Sequence, residues 1–261
     1  MIFTRKLLSY LLSIIILLII WYALSLFVPH YLFPTPLDVL KAFVKLWQRE
    51  SLLVNIVVTL YRVAVGFLIG LFLGFTLGVI SMLYRVFRDL IYPLVAFITV
   101  TPSFAFIPLL MLWVGLNDVL AIVAVAVCVG FPIVYSFMSG KKNVDPEIVD
   151  VALTLGASKK DVVFKIIIPL SITHLASLLK LEVGHSWKLV FVTEYLALSS
   201  GLGYLMVRAY STISVDEIIA LIILLGLLAL LFQYIIELIE TKILRKWGYM
   251  GEALYDKSGI T

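Results

Sequence analysis

Six stretches of this chain, roughly 7–28, 60–82, 90–115, 119–138, 172–198 and 218–244, are apolar and about as long as a helix that crosses a hydrocarbon core, which takes about 20 residues. Hydrophobic residues make up 63% of the 261 and charged residues 14%, against about 45–50% and about 25% in a soluble domain. A water-soluble core could not hide so much apolar surface, so the expectation is one all-α membrane domain of about six transmembrane helices. The first block follows Arg5 and Lys6, as a signal peptide would. Its apolar run is too long and no small-residue cleavage site follows, so it reads as a retained first span.

The formal net charge of +4 comes from short Lys and Arg clusters between apolar blocks, with no aromatic interleaving or basic helix face, which argues against nucleic acid. Arg5, Lys6, Arg85, Arg88, Lys141, Lys142, Lys159, Lys160, Lys165, Lys242, Arg245 and Lys246 all fall on one side of the six spans. By the positive-inside rule that side is cytoplasmic, and an even span count puts both termini there, as in a multi-pass plasma-membrane protein. Residues 36–55 carry Lys41, Lys45 and Arg49 yet fall on the outer side. Val39, Leu40, Phe43, Val44 and Trp47 recur there at helical spacing, which predicts an amphipathic helix on the outer surface.

The chain then divides into 1–59 (first span and surface helix), 60–244 (the core) and a cytoplasmic tail, 245–261. Gly66, Gly70, Gly74 and Gly78 make a four-residue repeat along the second span, read as a packing seam for another helix. Cys128 has no disulfide or metal-site partner.

The polar interruption 143–170 has its own helix signals. Asp145 before Pro146 and Glu147 is a helix start, and Gly156 a helix stop. Ser158 with Asp161 three residues on is a capping-box pattern, leading into Val162, Val163, Ile166 and Ile167 and then Pro169.

Asp150-Val151-Ala152, three residues, Gly156, nine residues, Ile166-Ile167-Ile168-Pro169 resembles the EAA loop of ATP-binding-cassette importer permeases. Asp150, Val151 and Ile168 depart from that pattern while keeping acidity or apolarity, and the spacing is intact. Thr101-Pro102-Ser103, Ile107-Pro108-Leu109, Leu112-Trp113-Val114-Gly115, Glu194, Ser200-Gly201-Leu202-Gly203-Tyr204-Leu205 and Phe33-Pro34-Thr35-Pro36 look like the subfamily importing nitrate, taurine, alkanesulfonates and bicarbonate. Permeases for riboflavin and pyrimidine vitamin precursors share much of this pattern. The resemblance implies a type I importer permease fold. It also implies a loop whose Asp150, Ala152, Gly156, Ala157, Ile166 and Pro169 form the coupling surface for a separate ATPase.

The resemblance further implies two ATPase copies, an extracytoplasmic solute-binding protein and a second permease copy, the pair embedded in lipid. No phosphate-binding loop occurs, since Gly140-Lys141-Lys142 lacks the upstream glycine and the hydroxyl residue. ATP and Mg therefore belong to the partner, and this chain is expected to bind no cofactor and no metal and to be a transport subunit rather than an enzyme.

Ionisable residues inside apolar spans are costly and functional candidates by default: Arg62, Lys180, Glu182, His185, Lys188 and Glu194. Either His185 and Lys188 attract an anion while Glu194 gates the pathway or meets a docking protein, or these charges pair among themselves. Thr101, Pro102 and Ser103 either line a cavity or make a proline kink satisfied by hydroxyls. The expected solute is a small anion such as a sulfonate, taurine, nitrate or bicarbonate. A vitamin precursor is the alternative within the same class, and an ion-coupled secondary transporter the alternative outside it, although no internal repeat supports the latter.

Overall fold

The computed structural model describes residues 2–49, 51–139 and 145–246. Lys141, Lys142 and the tail beyond 246 lie outside them. The described residues are helical almost throughout, with no strand: α1 (Ile2–Ser25), α2 (Pro36–Arg49), α3 (Leu52–Leu83), α4 (Arg85–Val100), a 3-10 turn (Ser103–Phe106), α5 (Ile107–Val114), α6 (Asp118–Ser139), α7 (Pro146–Thr154), α8 (Lys159–Asp161), a π-helical turn (Val162–Ile167), α9 (Ile168–Ala197), α10 (Leu202–Ser211) and α11 (Val215–Lys246). By length and apolarity α3, α6 and α11 each suffice to cross a membrane alone.

Two bent helix pairs are together apolar and long enough to cross as broken spans or to form re-entrant loops, and Leu11–Ser25 of α1 is a shorter apolar helix. The stretch 90–115 is therefore not one straight helix, because the chain turns by 105° between α4 and the segment Ser103–Val114. The cause is local: Pro102 disfavours helical backbone in the residue before it, and Thr101 is extended, with φ −71° and ψ 134°. The other correction concerns 172–198. That span starts earlier, continuous with the second helix of the polar loop, and bends by 61° between Lys159–Ile172 and His174–Ala197. Pro169, which has no N–H for the preceding turn, and the six-residue π-turn Val162–Ile167 both precede that bend, which falls at residue 173.

The chain forms two compact units, Thr59–Thr193 with Leu228–Thr261, and Met1–Val58 with Glu194–Leu227. In the first, α3 lies on α6 along the glycine stripe. A Cβ on Gly66 would come within 2.7 Å of Val125, on Gly70 within 2.8 Å of the Ala126 carbonyl, on Gly74 within 2.7 Å of the Gly130 carbonyl, and on Gly78 within 2.6 Å of the Phe137 ring. Only hydrogen fits at these four positions, which lets the two helices meet backbone to backbone. Arg62 of α3 is buried and closes this pair at one end, with Nη2 2.5 Å and Nε 3.0 Å from Asp118 Oδ1 at the start of α6. Phe67 and Trp187 pack edge-on against Phe232 of α11.

In the second unit α2 is fixed at both ends. Trp21 of α1 donates its indole N–H to the Pro34 carbonyl at 3.0 Å. Thr35 and Asp38 make a reciprocal cap, and Lys45 pairs with Glu217 at the start of α11. The hydrogen bond from the Thr35 hydroxyl holds the Asp38 carboxyl below its ordinary pKa.

Helix α10 ends in a reciprocal pair of bonds, Ile213 N–H to the Tyr210 carbonyl at 3.0 Å and Ser214 N–H to the Ala209 carbonyl at 2.9 Å. This ending puts residue 213 in the left-handed region, at φ +55°, where glycine is usual and a β-branched residue is an outlier.

Candidate functional site

Two places bring together the residues singled out by sequence. The first is the loop leading into α9. Asp145 accepts the Glu147 N–H at 3.0 Å and starts α7, as its position before Pro146 implies. The helix stops as Gly156 donates to the Leu153 carbonyl and Ala157 to the Ala152 carbonyl, both at 3.0 Å. Gly156 sits at φ +89° with no atom within 4 Å of where a Cβ would lie, so its requirement is backbone conformation, not space.

Ser158 and Asp161 complete both arms of a capping box, and Lys165 lies 2.6 Å from Asp161. Val162, Val163 and Ile167 are buried, and Ile166 and Pro169 are half-buried. Asp150 is exposed beside Ile148, Val151 and Leu155, apolar side chains that α7 leaves uncovered, Leu155 at 83% exposure. The helix is thus capped at its start and stopped at Gly156 while its open side is apolar.

The second place is a cavity of about 200 Å³ at the break between α4 and α5. Pro102, Ser103 and Phe104 form one wall and Cys128 of α6 another; His185 and Lys188, one helical turn apart on α9, face them. Leu189 and Val192 supply its apolar side. Thr101 is not in this lining: its hydroxyl turns back to the Phe97 carbonyl at 2.8 Å and closes the end of α4. Pro102 and Ser103 thus border the cavity and Thr101 does not.

The charges of the spans also part company. Arg62 pairs with Asp118, and Lys180 lies 2.8 Å from Glu240 of α11. Glu182 is buried with one carboxylate oxygen lacking a hydrogen bond and His185 Nδ1 3.5 Å from it. Lys188 makes no ion pair among the described residues and is open to the cavity. The Lys188 ammonium, the Ser103 hydroxyl and the His185 imidazole line the same cavity, and each can donate a hydrogen bond.

Glu194 is not among the residues that line this cavity; it is fully buried and belongs to the other unit. Its Oε2 accepts the Gly203 N–H at 3.0 Å, at the start of α10. Gly201, at φ +99°, passes so close that a Cβ there would come within 2.2 Å of the carboxylate carbon, and its N–H goes to Asn55 Oδ1 at 2.7 Å. The glycines of Ser200-Gly201-Leu202-Gly203 and Glu194 are one local assembly. Sequence reading did not connect Asn55 or Asp118 to any partner and set Cys128 aside. Only Asp118 carried a signal, an acid bordering the apolar α6.

Comparison with known proteins agrees with this architecture. The chain is 31% identical over 230 residues to a putative ABC transporter permease of Methanocaldococcus jannaschii, covering 86% of each. It is 28% identical to the putative aliphatic sulfonates transport permease SsuC of Bacillus subtilis, covering 82% of this chain and 77% of that one. A bacterial alginate ABC transporter, solved in complex with its alginate pentasaccharide-bound periplasmic protein, has a chain that superposes with a TM-score of 0.59 at 16% identity. That match covers 93% of this chain and 96% of that one. Residues 66–247 match the family described as binding-protein-dependent transport system inner membrane component. The chain belongs to that family and is a membrane-embedded permease subunit of an ATP-binding-cassette importer, not an enzyme.

Proposed function

We propose that this permease carries a small anion of the sulfonate class, delivered by an extracytoplasmic binding protein and driven by two ATPase subunits on the cytoplasmic side. The single observation that carries the anion reading is Lys188, a membrane-depth cation without a carboxylate, facing a cavity that also presents Ser103 and His185. Kinship to a permease named for aliphatic sulfonates supports the same class. Asp150, Ala152, Gly156, Ala157, Ile166 and Pro169 form the docking loop, and its uncovered apolar helix α7 fits an ATPase cleft.

The charge of the basic loops supports a cytoplasmic side for this surface and both termini, with the pathway running between two copies of the chain. Nucleotide binding draws the ATPases together, moves the two loops inward and opens the pair outward; hydrolysis resets it.

The test is uptake of an alkanesulfonate into proteoliposomes holding the complex purified from its own membranes. Gly156→Arg should abolish uptake while insertion is normal, because a long charged side chain at a left-handed glycine disrupts the loop. Lys188→Gln should cut uptake at least tenfold and Lys188→Arg should retain most of it. Equal uptake by Lys188→Gln and the parent would remove the anion reading; normal uptake by Gly156→Arg would remove the coupling role.

A further inference from the structure

Helix α2 has three faces, and their order around the helix axis is informative. At about 100° per residue, Val39, Ala42 and Leu46 fall in one sector about 60° wide. All three are buried, none exposed by more than 6%. Leu37, Leu40, Val44 and Trp47 fall in a second sector about 80° wide, and every one is exposed, Leu40 at 61%. Asp38, Lys41, Lys45 and Gln48 fill a third sector of about 80°. The line dividing the exposed apolar sector from the polar one lies about 160–200° from the buried sector, on the ridge that points straight away from the protein.

A helix packed on a protein in water has one apolar face and one polar face. A second apolar face, uncovered and sharply divided from a polar one along the outermost ridge, fits a helix lying in the boundary between lipid and water. We infer that Leu37, Leu40, Val44 and Trp47 rest on the acyl chains of the outer leaflet, with the membrane surface running between them and Lys41.

The occupant is lipid because the face continues an interface that exists already. α2 begins ten residues after α1, whose apolar side chains Leu17, Ile19 and Leu24 are all more than half exposed, as lipid-facing residues are. The Trp21 indole, near the end of α1, holds Pro34 at the mouth of α2, fixing the start of α2 at that end of α1. Trp47 in the last turn of α2 is the residue type found at membrane interfaces. Of the basic residues of α2, Lys41 lies near Asp38 and Lys45 pairs with Glu217, and the exposed sector of Leu37, Leu40, Val44 and Trp47 carries no charge at all, so its contact is with hydrocarbon and not with anionic headgroups. The face thus fixes how deep this end of the chain sits, independently of the solute carried.

The experiment places single cysteines at 37, 40 and 44, at 41 and 48, and at 42 in the full-length chain carrying Cys128→Ser. Each is labelled with a nitroxide in vesicles of phosphatidylethanolamine and phosphatidylglycerol. Collision with oxygen, which dissolves in lipid, is compared with collision with a water-soluble nickel chelate. The expected ratio of oxygen to nickel accessibility is severalfold higher at 37, 40 and 44 than at 41 and 48, with 42 shielded from both. Equal nickel accessibility across the two exposed sectors would overturn the inference. Immobile labels at 40 and 44, closed to both reagents, would overturn it too, by showing that a protein covers the face. Neither result touches the sulfonate reading, which the uptake assay judges.

Discussion

Glu194 is a carboxylate with no exposed surface, held by the Gly203 N–H and flattened against Gly201. Its environment makes Gly201→Ala a severe change, since the methyl must displace the carboxylate and also adopt φ +99°. The expected loss is about 3 kcal/mol, combining overpacking with a left-handed alanine. Adding Glu194→Ala relieves the overlap, so the double variant should lose much less than the sum of the two single losses, read as thermal stability in detergent. The cost of burying a charge marks Glu194 and Lys188 equally from sequence, but not what satisfies each. Glu194 meets a backbone N–H, which no side-chain pattern encodes, whereas Lys188 is distinguished by having no ion pair among the described residues, visible once Lys180 and Arg62 are seen with their carboxylates.

Helices α7, α8 and α2 begin where their caps put them, and α7 stops at Gly156. Asp145, Gly156 and the Ser158–Asp161 box were readable because capping is a matter of residue type at fixed spacing. Helix α10 breaks that logic by ending on Ile213, which costs about 1–2 kcal/mol relative to a residue at ease there. Ile213→Gly should therefore raise stability by about 1 kcal/mol, seen as a higher midpoint in thermal unfolding.

In the same unit, the Asp38 carboxyl is held below its unfolded value of about 4 by Thr35. A lowered folded pKa contributes stability that is complete above pH 4 and disappears as pH falls through the folded value. Acid should loosen the α2 cap below pH 4, with faster amide exchange at residues 36–39, and Asp38→Asn should remove that pH dependence. The bends were the illegible part. Pro102 and Pro169 are visible as prolines, but Pro93 and Pro132 lie inside α4 and α6 without ending them, so a proline alone does not tell a bend from a continuation.

Across the whole molecule, apolar blocks and loop charge were enough for the class, and the spacing around Gly156 for the family. The cavity was only half legible, because it is assembled from a break in one span and one face of another. Its wall includes Cys128, the one thiol of the chain. If solute passes here, an alkanesulfonate at saturating concentration should slow modification of Cys128 by a small cationic methanethiosulfonate several-fold, followed by mass spectrometry of the intact chain. Unchanged kinetics would separate the cavity from the route.

The glycine seam also has a mechanical consequence. Pro132 leaves the Cys128 carbonyl without its helical donor, a defect at which a free helix would flex. Gly74 of α3 presses on Gly130 and Ile133, on either side of that defect, with no side chain between to yield. Helix α3, about 48 Å long at 32 residues, thus splints α6 across its weak point. The bends of the chain lie elsewhere, at Thr101–Pro102 beside the cavity and at residue 173 within α9.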